Sequence, residues 1–403
     1  MSDFSITAFS AYLIILLYLL AADAAGFLVY LLLSLFCATI ASTFLEPGFD
    51  HGFYISRSLG YASASAAFWD DLATASPLAG VIWFVREILV DERLAVLFIN
   101  SVNLAGISVF SEKICSFSSA HGSRVRRRLA LMASYALYPS IVILMVSANK
   151  DLILGLFLLG GTYFFLRLID RRPIPAMHRL AFLLMFGIAF RGLYVGRFYL
   201  AGILVGALSM CIFMIFLEGT RLRRFYKEWL FYTSLILLSA MVLHYEWNYV
   251  RTLVHTFSGR AVIAPIYNAT MPGLFNSILY GASGVMVATL GIFSASLWSE
   301  TLSEGNQCIG MYESLIFTVS FALLFIKQGK GRFERLTMAF IFLHLGLQVW
   351  ASPNFGSLFR HRVLDYLMLA PLIINARREQ FFDFVGSESH AKPEQIRPAE
   401  TYA

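Results

Sequence analysis

An aspartate and a tyrosine four residues apart, Asp50 and Tyr54, stand on a stretch punctuated by Pro47, Gly48 and Gly52, with His51 between them and Arg57 just beyond. If the chain is helical after Gly52, Asp50 and Tyr54 lie near one face. A carboxylate at a boundary between water and hydrocarbon can take the proton from a sugar hydroxyl, and does so best where a low dielectric raises its proton affinity. Asp70 and Asp71 are the reserve candidates. Cationic groups gather elsewhere: Lys150 beside Asp151, Arg191 and Arg197 flanking a short turn, and the run Arg360-His361-Arg362, with Arg251 and Arg260 between. Arginine suits phosphate because its planar fork binds two oxygens at once. The chemistry these types allow is proton removal from a hydroxyl next to a bound diphosphate.

Each group also has a plainer reading. Asp50 is an ordinary carboxylate on a glycine turn. Arg191 and Arg197 are snorkelling anchors for two span ends. Lys150 and Asp151 neutralise each other locally. Arg360-His361-Arg362 is denser, and three cationic groups just before an apolar run favour function over topology. His244, Glu246 and Trp247 close another run, where Glu246 serves as a partner for one of the arginines or is simply solvated.

The elements that must position these residues are membrane helices. Hydrophobic residues make up 58% of the chain and charged residues only 14%, against roughly 25% charged in a soluble domain. Apolar runs fall at 4–21, 25–44, 94–114, 129–147, 152–167, 178–190, 198–217, 229–244, 311–326, 336–350 and 363–376. Residues 77–90 are apolar but short, and read as a half-inserted or surface-lying helix with Trp83 at the interface. The expected fold is all-α: a polytopic bundle of about 11 (10–12) transmembrane helices. Residues 270–298 form a re-entrant or broken segment lining a cavity. Residues 1–380 make one membrane domain, and 381–403 a polar, disordered cytoplasmic tail. The first run lacks a basic flank and a small-residue cleavage site, so it reads as a retained span.

The net charge of +6 comes from short basic clusters between apolar runs. That is a topology signal, not a nucleic-acid one. Four clusters and Arg377-Arg378 assign the connecting loops and the C-terminus to the cytoplasm. The stretches around 148–151, 191–197, 245–310 and 351–362 then face outward, as does 45–76 provided 77–90 does not cross. Cys37, Cys115, Cys211 and Cys308 have no ligand or disulfide spacing and read as packing residues. No metal site and no nucleotide-binding loop is legible.

Read together, two short spans followed by Gly48-Phe49-Asp50-His51-Gly52-Phe53-Tyr54 resemble the start of the EpsG/Wzy-type bacterial polysaccharide polymerases. Pro139-Ser140 with Ser147-Ala148-Asn149-Lys150-Asp151 is similar to that family's mid-membrane Pro…Ser…Arg/Lys-Asp region. Asn354-Phe355-Gly356-Ser357-Leu358-Phe359-Arg360-His361-Arg362 is similar to its Asn…Gly…Arg-Tyr-Arg stretch, with His361 in place of tyrosine. Two departures stand out: no basic residue just before Gly48, and a short 245–310 region. The resemblance implies a GT-C-like enzyme of the bacterial inner membrane, acting on polyprenyl-diphosphate-linked glycans in exopolysaccharide or O-antigen synthesis. It would need no cofactor and would work among membrane lipids and other polysaccharide assembly proteins. Asp50 would be base or acceptor orienter with Tyr54 beside it, while Arg57, Lys150, Arg191, Arg197, Arg360, His361 and Arg362 hold the donor phosphates. The alternatives are a lipid-linked glycan flippase or other polysaccharide transporter and, further off, a membrane acyltransferase. Missing internal symmetry, and charges set in loops instead of mid-membrane, weigh against transport.

Overall fold

The computed structural model describes residues 3–47, 52, 55, 77–118, 124–170, 174–221, 223–245, 304–326, 331–351 and 362–374; among these there are helices and turns and no strand. The helices are α1 (Asp3–Phe44), α2 (Pro77–Leu89), α3 (Glu92–Ser118), α4 (Arg124–Ala136), α5 (Pro139–Val146), α6 (Asp151–Leu168), α7 (Ala176–Gly196), α8 (Phe198–Glu218), α9 (Arg224–Tyr245), α10 (Glu304–Ile326), α11 (Arg332–Ala351) and α12 (362–374). Five helices are long and apolar enough to cross a membrane, or up to six if the bent pair α4–α5 is one span. Several carry apolar side chains outward as well as inward: Leu17, Leu32, Phe36, Leu183, Leu184 and Phe216 are all exposed. Helices apolar all round belong in hydrocarbon.

The first helix holds two crossings' worth of chain, and it breaks at Asp23, whose backbone is not helical. The Asp23 carboxylate caps the second half by accepting the Gly26 N–H at 3.0 Å, as an N-cap should. The path reverses there. Leu19 lies against Gly106 of α3, Tyr30 donates to Glu112 at 3.2 Å, and Arg93 donates to the Ser42 carbonyl. A straight helix could not touch α3 in that order. Arg128 locks the turn, 2.9 Å from Glu112 and 3.5 Å from Asp23.

Two ends of the bundle follow from such contacts. Arg332 at the start of α11 donates to the Ile169 carbonyl after α6, and Arg335 pairs with Glu218 and Glu228 at the facing ends of α8 and α9. The basic clusters thus gather at one end. Ser42 and Arg93 meet at the other, so α1 leaves and α3 begins at the end away from the basic clusters. The chain thus leaves α1 and enters α3 at the same end. Helix α2 is short, as expected: at 13 residues it is about 20 Å long. Its Val81 and Ile82 are buried, while Ile88 and Leu89 are exposed.

Three expectations are corrected. Residues 129–147 are not one continuous helix: α4 and α5 meet at 85°. The cause is Pro139, which pushes Tyr138 into an extended backbone and cannot donate to the preceding turn. Residues 191–196 are not a turn, because α7 runs unbroken to Gly196. Residues 304–310 are helical, extending the run expected from 311. The segment 270–298 and the tail 381–403 lie outside the described residues.

Helices α6 and α7 approach so closely that a Cβ on Gly192 would stand 2.5 Å from the Phe157 ring. Gly192→Leu should lower the thermal midpoint of the detergent-solubilised protein, since overpacking costs about 1–3 kcal/mol. Val90 poses the opposite case. It closes α2 with φ 63, donates its N–H to the Arg86 carbonyl and is 89% exposed. A β-branched residue is strained there by about 1–2 kcal/mol. Val90→Gly should raise the midpoint; a clear drop would show that Val90 contributes packing.

Candidate functional site

Helix α5 organises the polar interior. It has eight residues, so about half of its backbone N–H and C=O groups lack an intrahelical partner. Neighbouring helices supply them. At its N-terminus Glu313 of α10 accepts from the Ser140 N–H at 3.1 Å and from its hydroxyl at 2.6 Å. A carboxylate is favoured there by the positive end of the helix dipole. At the C-terminus the Asn100 amide of α3 donates to the carbonyls of Leu144, Met145 and Ser147 at 2.8–3.1 Å.

Beyond that C-terminus the chain turns through Ser147-Ala148-Asn149-Lys150 into α6, and all but Lys150 are buried. Asp151 opens α6 with its backbone N–H on the Asn149 side chain at 2.9 Å. Its fully buried carboxylate lies 2.8 Å from the Arg197 guanidinium at the α7–α8 junction. Lys150 reaches the Gly196 carbonyl at 3.3 Å. This knot ties two helix junctions, α5–α6 and α7–α8, together at the end away from the basic clusters.

The N-terminus of α5 opens onto a second group. Arg362, first residue of α12 and 1% exposed, donates to the Ser314 hydroxyl at 2.7 Å and lies 5.2 Å over the Phe317 ring. It acts electrostatically on Glu313, Tyr138 and Asp365. Tyr138 stacks on Tyr366 at 3.9 Å between centroids, and Tyr366 meets Ser134 at 2.9 Å. One helical turn on from Arg362, Asp365 holds His344 of α11. Nδ1 is 2.9 Å from both carboxylate oxygens, and both side chains are fully buried. Nε2 of His344 has no partner among the described residues. His344 stands twelve residues after Arg332 on α11, so it lies about 18 Å along that helix from the Arg332 end.

The arrangement redistributes the expected site residues. Arg191 and Arg197 part company: Arg191 is exposed on α7, with Tyr194 5.9 Å away, whereas Arg197 is buried. Arg362 is not a loop cation but an interior one, because α12 starts with it. Asp50, Tyr54, Arg57, Arg360 and His361 lie outside the described residues. Pro47, three residues before Asp50, leaves α1 at the end that also carries the Asp151–Arg197 knot. Glu313, His344 and Asp365 were missed by weighing only loop charges. The available signal was one ionisable residue in each of the last three apolar runs. Among the described residues no three metal-ligating side chains cluster. Comparison of the chain with protein-family models, with curated proteins and with solved structures yields no match.

Truncating one partner of a buried ion pair strands the other, at about 3–5 kcal/mol. Asp151→Leu and Arg197→Met should each destabilise the solubilised protein strongly, and the double variant less than the two combined. Purely additive losses in thermal unfolding would show that the pair is not coupled.

Proposed function

We propose that the chain is an integral-membrane glycosyltransferase or polymerase, acting on polyprenyl-diphosphate-linked glycans in bacterial exopolysaccharide or O-antigen-like synthesis. The observation that supports this best is the buried layer Glu313–Arg362–Asp365–His344. Charges inside a membrane bundle are expensive, and they persist where function needs them. The layer combines a cation suited to a diphosphate leaving group with carboxylate and imidazole groups suited to proton transfer. Arg362 follows Arg360 and His361 directly, so the same stretch can extend the phosphate clamp. An outward Asp50 is supported by the end of α1, where Ser42 meets Arg93 away from the basic clusters. On this reading the chain crosses the inner membrane about eleven times with a cytoplasmic C-terminus. Asp50 and Tyr54 orient or activate the acceptor. Arg57, Lys150, Arg191 and Arg197 contribute to holding the donor, Arg197 through the junction it locks with Asp151.

Asp50→Asn and Arg362→Ala, expressed in cells that depend on the native protein for surface glycan, should each abolish long chains and leave lipid-linked units unextended. Wild-type chain length in both variants sinks the assignment.

A lipid-linked glycan flippase is the second reading, and one observation now favours it. Charges set within the membrane and not in loops are what a translocation path uses, and the Arg362 layer lies inside the bundle. Lipid-linked glycan trapped on the cytoplasmic face in the Arg362→Ala strain would select this reading.

A further inference from the structure

We propose that His344, oriented by Asp365, is the base that accepts the proton of the acceptor hydroxyl; this rests on the glycosyltransferase reading above. The geometry carries it. Asp365 engages one ring nitrogen through both oxygens, which fixes the ring and directs Nδ1–H to the carboxylate. Nε2 is then the acceptor nitrogen, and it is buried with no partner among the described residues. A buried acceptor left unmade costs about 1–3 kcal/mol. A purely structural histidine would be expected to use both nitrogens, whereas an oriented base keeps one for the reaction.

The surrounding charges fit the same role. Arg362 on α12 acts on Asp365 of the pair, and the same guanidinium acts on Glu313 of α10 and on Tyr138, which stacks on Tyr366. Gly206 of α8 lies against Leu343, the residue before His344, and against Leu238 of α9. Arg362 and Asp365 thus stand beside the ring as fixed charged or polar groups, already in place where the proton is transferred.

The step balances as follows. The acceptor O–H gives its proton to Nε2 and its oxygen forms the bond to the anomeric carbon. The bond from that carbon to the diphosphate oxygen breaks, and its electron pair leaves with the diphosphate, held by Arg362. The imidazolium then releases the proton to water.

The test uses the full chain in nanodiscs with a synthetic polyprenyl-diphosphate-linked repeat unit, measuring kcat, KM and pH–rate profiles. His344→Gln should lose about 100-fold or more in kcat, with KM little changed and the acid limb of the profile gone. Asp365→Glu should still turn over, with that limb displaced, and so covers the case in which His344→Gln does not fold. A His344→Gln protein that keeps wild-type kcat and acid limb overturns the proposal. So does an undisplaced limb in Asp365→Glu. If the wild type makes no glycosidic product but moves the lipid-linked unit across the bilayer, the glycosyltransferase reading fails and the base falls with it. An active wild type with an unaffected His344→Gln removes the base alone.

Discussion

A helix of eight residues inside an apolar bundle cannot satisfy its own backbone, and much of the molecule follows from how α5 escapes that problem. In hydrocarbon each unpaired N–H or C=O costs several kcal/mol. Two helices distant in sequence therefore cap it, with Glu313 at one end and Asn100 at the other. Pro139 creates the need, because it ends α4 and starts a new helix at a sharp angle. Glu313, drawn in to cap that start, brings a negative charge into the interior. Arg362 and the His344–Asp365 pair then complete a charged layer that neutral side chains could not have balanced.

The two polar centres are separated by the length of α5, about 12 Å. The knot around Asp151 and Arg197 is a mechanical element. It joins the α5–α6 turn to the α7–α8 junction and fixes how those hairpins stand. The layer around Arg362 is chemically richer, combining an acid–base pair with a cation held by Ser314 and Phe317. The fold thus sets a rigid frame on one side of α5 and ionisable groups on the other.

Orientation also has a physical base. Arg128, Arg332 and Arg335 are each bound to carboxylates or carbonyls at helix ends, so the basic clusters are structural ties as well as topological signals. These ties gather the basic ends on one face. The end of α1 and the start of α3 meet at the opposite end, through Ser42 and Arg93.

The amino-acid sequence by itself determined the solvent and the elements: apolar runs of bilayer length, basic clusters between them, the break at Asp23 and a short apolar helix near 77–90. It also held Glu313, His344 and Asp365 in plain view as isolated ionisable residues in apolar runs, because the energetic cost of charge in a membrane is local and readable. Tertiary structure alone decided their pairing. Arg191 and Arg197 look alike in sequence, yet one is exposed and the other buried, because α7 continues six residues further than its hydropathy suggests. Arg362 reads as one of three loop cations until helix packing places it beside Ser314 and Phe317. Which carboxylate meets which base depends on contacts between helices far apart in the chain, and no local periodicity encodes that.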